Sequence, residues 1–219
     1  LHAALRALQM QECSVGVLVS ATLILAPIIG TSFAVAGMTS ARGRSHTFDA
    51  RADGYARAEA CGGGALRSGD EGAALNIQGS AVRQDGRSAS LTAPNGQAQQ
   101  GVLMAALKDA GTFVDWLALI QAHGTGTALG DPSEVGALAA AVLTAREEPL
   151  AIAGIKASSG PAEPAAVMTG LLVLGSGLRA RQAAPNAQLR SLNPHVGGAL
   201  RAVVRWVLPT HASAVDKVL

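Results

Sequence analysis

The stretch AHGTGTALGDPSE, residues 122–134, concentrates the groups in this chain that can do chemistry. His123 offers an imidazole, Thr125 and Thr127 offer hydroxyls among glycines, and the run closes on Asp131 and Glu134. An imidazole N–H in such a place can stabilise a developing oxyanion or enolate. Gly124 and Gly126 let backbone approach a ligand closely, and the two hydroxyls can donate to it or accept from it. The same residues admit a plainer role, in which His123 caps the turn and the threonines satisfy loop backbone.

The flanking elements must position these groups. FVDWLALIQA (113–122) reads as a buried strand, so His123 falls at a strand end, where loops of α/β proteins gather ligands. A helix over about 132–145 should follow, with Asp131 as N-cap, Pro132 in its first position and Glu134 completing a capping box. LAIAGIKA (150–157) reads as a short buried strand, followed by a Ser/Gly turn and an apolar helix over about 163–178. Upstream, LHAALRALQM has the spacing of an amphipathic helix, and Val15 to Leu25 reads as a buried strand ended by Pro27. A helical stretch near 32–38, a polar loop rich in Arg, Asp and Gly, a weak strand near 61–66, a strand at IQGSAV (77–82) and a helix over 97–110 complete the pass. Strand, loop and helix in alternation indicate an α/β architecture.

Composition narrows the function. Of 219 residues, 49% are hydrophobic and 3% aromatic, so a core of Val, Leu, Ile and Ala with close approach between elements is expected. The net charge of +2 is spread along the chain with no basic block interleaved with aromatics, which argues against a nucleic-acid partner. Cys13 and Cys61 form neither a CxxC pair nor a disulfide framework, and no cluster of metal ligands is present, so no metal site is expected. The apolar run VGVLVSATLILAPIIG (15–30) is shorter than the roughly 20 residues of a spanning helix and is interrupted by Ser20, Thr22 and Pro27, so no membrane span is expected. The first helix begins at Leu1 with no capping residue, as if the sequence had been cut there, which leaves a cytoplasmic or an organellar location equally open.

QAHGTGTALGDPSEVGALA resembles the histidine loop of the β-ketoacyl synthases, the condensing (ketosynthase) domains of type I polyketide and fatty-acid synthases. QECSVGVLVSATLILAP, GRSHTFDARADGYARAEACGGGAL, GSAVRQDGRSASLTAPNGQAQQGVL, IAGIKASSGPAE and LNPHV match in the same order. The resemblance implies a thiolase-like layered αβαβα fold, here incomplete. Residues 1–88 would close the family's first half, and 89–219 would supply a second half that stops before its last Gly-rich loop. It also implies the family reaction, decarboxylative condensation of an acyl thioester with malonyl-carrier protein. In that scheme His123 is the first of two enolate-stabilising imidazoles, Lys156 assists the second, and Thr125 and Thr127 hydrogen-bond the pantetheine arm. No cofactor is bound by the domain itself; the phosphopantetheine of an acyl carrier protein enters as substrate arm. Other synthase domains and a second copy of the chain, as a homodimer, are the further partners implied.

Two departures qualify this. The family's nucleophilic cysteine falls upstream of Leu1, and Cys13 and Cys61 match non-catalytic positions, where small buried residues are expected. Where the family has its second histidine, the run Lys156-Ala157-Ser158-Ser159-Gly160-Pro161 ends in proline, which has neither a side-chain donor nor a backbone N–H. His195 and His211 match no catalytic position. The chain alone is therefore expected to be inactive, and the alternative function is a non-catalytic, carrier-binding ketosynthase-like module.

Overall fold

The computed structural model describes residues 1–69, 72–90, 92–203 and 205–215. Its sheets are held apart by a central helix layer. Strands β3 (Leu119–Gln121), β4 (Leu150–Ala153) and β6 (Trp206–Val207) form a parallel sheet in the order β3-β4-β6. On one face lie α3 (Gly96–Ala110), α4 (Gly130–Ala141) and α7 (Pro194–Leu200), which close over Phe48, Val135, Leu138, Leu150, Ile152 and Val196. On the other face α6 (Ala166–Ala180) packs Leu174 and Leu178 against Leu119 and Ala153.

The far side of α6 meets a second sheet, β1 (Val15–Thr22) paired antiparallel with β2 (Ala60–Arg67), which also packs on α1 (His2–Gln9). Glycine permits this sandwich. A Cβ on Gly62 would lie 2.8 Å from the Met168 side chain of α6, and one on Gly177 would lie 2.8 Å from the Gln182 carbonyl oxygen and 3.3 Å from Leu119. Four further elements are α2 (Pro27–Val35), the short α5 (Lys156–Ser159), and β5 (Gln182–Ala183), paired antiparallel with β7 (Ser213–Ala214).

Several expectations need correction. β1 is present, but Val15, Val17 and Val19 are 54%, 73% and 77% exposed, because only its alternate side chains face α1 and the central layer. Pro27 opens α2 rather than merely ending the strand, and that helix stops at Val35. IQGSAV is not a strand. Gly79 lies against the end of α3, and the Ser80 N–H donates to Asp109 at 2.9 Å, so the segment's backbone is satisfied by a helix end instead of a ladder. Cys13 and Cys61 are both exposed, since one follows α1 in a bend and the other points outward from β2.

Residues 40–57 carry no helix or strand, yet Ser45 to Asp49 are buried. Asp49 anchors them. It pairs with Arg51 at 2.7 Å and accepts from the backbone N–H groups of Arg190 and Ser191, tying this loop to the approach to α7. Burial opposes its ionisation, but Arg51 and these N–H donors prevail and hold the carboxyl well below the usual carboxylate range.

The exposure pattern predicts opposite outcomes for two aliphatic truncations. Ile152→Ala, at a fully buried position, should cost about 2–5 kcal/mol in chemical denaturation. Val17→Ala should stay within about 0.5 kcal/mol of the parent.

Candidate active site

β3 ends at Gln121, and the chain turns through His123 to Thr127 before entering α4. Gly124 (φ +48°) and Gly126 (φ +78°) occupy the left-handed region. A Cβ on the second would also sit 2.7 Å from the His46 nitrogen, so glycine is required there for conformation and for space.

The turn is held by its own peptide groups. Glu134 accepts from the N–H of His123 at 2.5 Å and from that of Gly124 at 2.8 Å. Asp131 accepts from Gly126 N–H at 3.0 Å with one oxygen and from Phe48 N–H at 2.8 Å with the other. The Gly126 carbonyl accepts from Gly54 N–H, the Gly124 carbonyl from the Thr47 hydroxyl, and the His123 carbonyl from Lys156 Nζ. Neither carboxylate serves as the expected cap. α4 begins at Gly130, and its first-turn acids reach back to the loop because the turn's N–H groups converge on them. Spacing suggested a capping box, and only the path of the 45–49 loop under the turn reveals the true acceptor role.

These groups are electrostatically coupled. His123 is exposed through the mouth of a cavity, yet the protein packed around the ring, with the neighbouring Lys156 charge, lowers its pKa to about 4. The imidazole is therefore neutral at ordinary pH and carries one N–H to donate. Burial raises Asp131 to about 6 against the pull of its Phe48 and Gly126 donors, and burial also raises Glu134. Lys156 is lowered by burial, which its carboxylate neighbours Glu134 and Asp131 oppose.

His123, Thr125 and Thr127 line one cavity of about 650 Å³, with Met38, Tyr55 and Leu103 among its other walls. The two hydroxyl oxygens lie 3.4 Å apart, and Thr127 also accepts Gly130 N–H, so it supports the turn while facing the cavity. Lys156 reaches His123 through the backbone and lies outside the lining. Pro161 is buried, and its carbonyl accepts from Ala58 N–H at 3.0 Å. His195 and His211 are exposed and do not line this cavity. No group of three or more metal-ligating side chains occurs among the described residues, and no described helix is long and apolar enough to cross a membrane.

Layer order and strand-end histidine define an α/β protein of thiolase-like fold, and solved structures agree. An oxazolomycin ketosynthase domain from Streptomyces albus matches 98% of this chain, which covers 38% of that one, with a TM-score of 0.88 at 30% identity. A ketosynthase from module 6 of the bacillaene synthase of Bacillus subtilis matches 97% of the chain and 39% of its own length, with a TM-score of 0.89 at 24% identity, a likeness of fold. The family model described as Beta-ketoacyl synthase, N-terminal domain, matches residues 1–71, and that described as Beta-ketoacyl synthase, C-terminal domain, matches residues 75–190. The chain belongs to the β-ketoacyl synthase family.

Among curated relatives, a phenolphthiocerol/phthiocerol polyketide synthase of Mycobacterium tuberculosis is 38% identical over 205 residues, 90% of this chain and 11% of that protein. The erythronolide synthase EryA2 of Saccharopolyspora erythraea is 34% identical over 218 residues, 94% of this chain and 6% of that protein. The chain thus spans about a tenth or less of the length of these two relatives.

The raised Asp131 carboxyl has a signed consequence. A folded-state pKa above the ordinary 3.8 favours folding while the group is protonated, and that contribution is lost as pH rises from about 4 to 6. His123 works in the opposite sense, its depressed pKa removing stability as pH falls from 6.5 to about 4. Asp131→Asn should remove the Asp131 share, roughly 3 kcal/mol across its window, from the pH dependence of urea unfolding, whatever its effect on absolute stability.

Proposed function

We propose that this chain acts as the ketosynthase domain of a polyketide synthase, handling carrier-bound acyl and malonyl thioesters at the His123 cavity. The observation that carries this reading is a neutral His123 lining a cavity with Thr125 and Thr127, in a chain of the β-ketoacyl synthase family. In the family reaction a cysteine thiolate first takes the acyl group from its carrier. Malonyl thioester then loses carbon dioxide, and the electron pair of the broken bond forms an enolate whose carbon attacks the acyl carbonyl and expels the thiolate. His123 would donate its N–H to the enolate oxygen, and a neutral imidazole in a partly desolvated wall suits that role. Thr125 and Thr127 would receive the pantetheine arm of an acyl carrier protein, and Lys156 would fix the His123 carbonyl.

Pro161 weakens one step within this scheme. Lys156 ties the turn after β4 to His123, and five residues further on the family's second imidazole is replaced by a residue without a donor. Loss of one such donor corresponds to about 3 kcal/mol, more than a hundredfold in rate. Acyl loading and arm binding do not need that donor, so Pro161 also favours a second reading, a carrier-binding domain that does not elongate.

Carbon dioxide release from malonyl-carrier protein separates the two. Under the first reading the parent decarboxylates slowly, His123→Ala abolishes the residual rate, and Pro161→His raises it about a hundredfold. Carrier binding that is weakened by Thr125→Val, with no decarboxylation gained in Pro161→His, supports the second. Absence of both binding and decarboxylation overturns each.

A further inference from the structure

Thr47 is fully buried in the loop beneath the His123 turn, and its two γ substituents do different things. The hydroxyl donates to the Gly124 carbonyl at 2.6 Å. Its methyl group stands between two glycines on separate arms of the site. A Cβ on Gly124 would lie 2.6 Å from Thr47 Cγ2, and one on Gly154 would lie 2.7 Å from the same atom. Gly124 follows His123, and Gly154 directly follows β4, two residues before Lys156.

Each arm is fixed elsewhere by its own partner. Glu134 holds the N–H groups of the His123 turn, while Asn186 accepts from Gly154 N–H at 2.8 Å and donates to the Ile152 carbonyl at 2.9 Å. Between the two arms, Thr47 fills the space where both backbones lack a side chain. We infer that Thr47 is a positioning residue whose methyl sets the separation of the His123 turn from the Lys156 arm.

The role deepens the reading of His123 as the enolate-facing donor and rests on it for its catalytic meaning. Its test needs no substrate, so it can fail while that reading stands. Lys156 from α5 is the charge that acts on the imidazole, Glu134 from α4 accepts from the His123 backbone N–H, and Glu134 and Asp131 in turn act on Lys156. Any change in arm spacing alters the Lys156 charge at the imidazole, and opening of the turn admits water; both change the His123 titration.

Thr47→Val keeps a branched wedge and loses the hydroxyl; Thr47→Ser keeps the hydroxyl and loses the methyl. Histidine-resolved NMR titration of the 219-residue chain should find His123 near its parental midpoint in Thr47→Val and displaced from it by about half a pH unit or more in Thr47→Ser. A purely structural threonine would change unfolding midpoints in both variants and leave the His123 titration where it was. That result overturns the inference.

A second measurement holds if either variant folds poorly. Gly154 does not occupy the left-handed region, so Gly154→Ala is opposed mainly by the Thr47 methyl. Gly154→Ala alone should lower the urea midpoint, and adding Thr47→Ser should restore most of that loss, because one methyl moves across the same gap. Additive losses in the double variant would show that Thr47 is not the wedge.

Discussion

The His123 turn depends on one contact, the Glu134 carboxylate accepting from the consecutive N–H groups of His123 and Gly124. A turn with two glycines in left-handed geometry has many alternatives in solution, and a single histidine presented on it would sample them all. Binding both N–H groups to one carboxylate of a neighbouring helix removes that freedom at the residue that matters. Asp131 repeats the device one turn of α4 earlier, with Gly126 on one oxygen and Phe48 on the other. Through these two acids α4 joins the His123 turn to the 45–49 loop, and Asp49 in turn joins that loop to the residues before α7.

Placing two carboxylates under an apolar cavity has an electrostatic cost, and Lys156 offsets part of it. The ammonium approaches both acids without forming a close ion pair with either, and its hydrogen bond goes to the His123 carbonyl. The cation therefore steadies the backbone of the histidine and, by its charge, adds to the burial that favours the neutral ring. A lysine outside the cavity lining thus acts on a histidine that faces the cavity. Pro161 fits its buried place without a donor, since it has no N–H to satisfy and its carbonyl accepts from Ala58 N–H.

Much of the fold was legible because its periodic signals are local. α3 runs over Gly96–Ala110, within a residue of its expected span, with Asn95 as N-cap and Gly111 closing it in the left-handed conformation. The parallel pairing of β3 with β4 follows from short apolar runs separated by a helix. IQGSAV failed as a strand because a half-apolar run has no intrinsic preference once Asp109 and the end of α3 satisfy its backbone. The free cysteines were misplaced for a similar reason: composition favours burial, but strand alternation decides which side Cys61 faces.

The sequence by itself determined the family, the strand-end place of His123 and the need for glycine beside it, since each is a matter of residue type and order. Tertiary structure alone decided what Asp131, Glu134 and Thr47 do. Their partners lie 83, 10 to 11 and 77 residues away along the chain, and a carboxylate near a helix start reads as a cap until another loop's N–H groups are seen converging on it. Hydrogen-bond capacity is written in the side chain, but the choice of acceptor is made by whatever backbone the fold brings within reach.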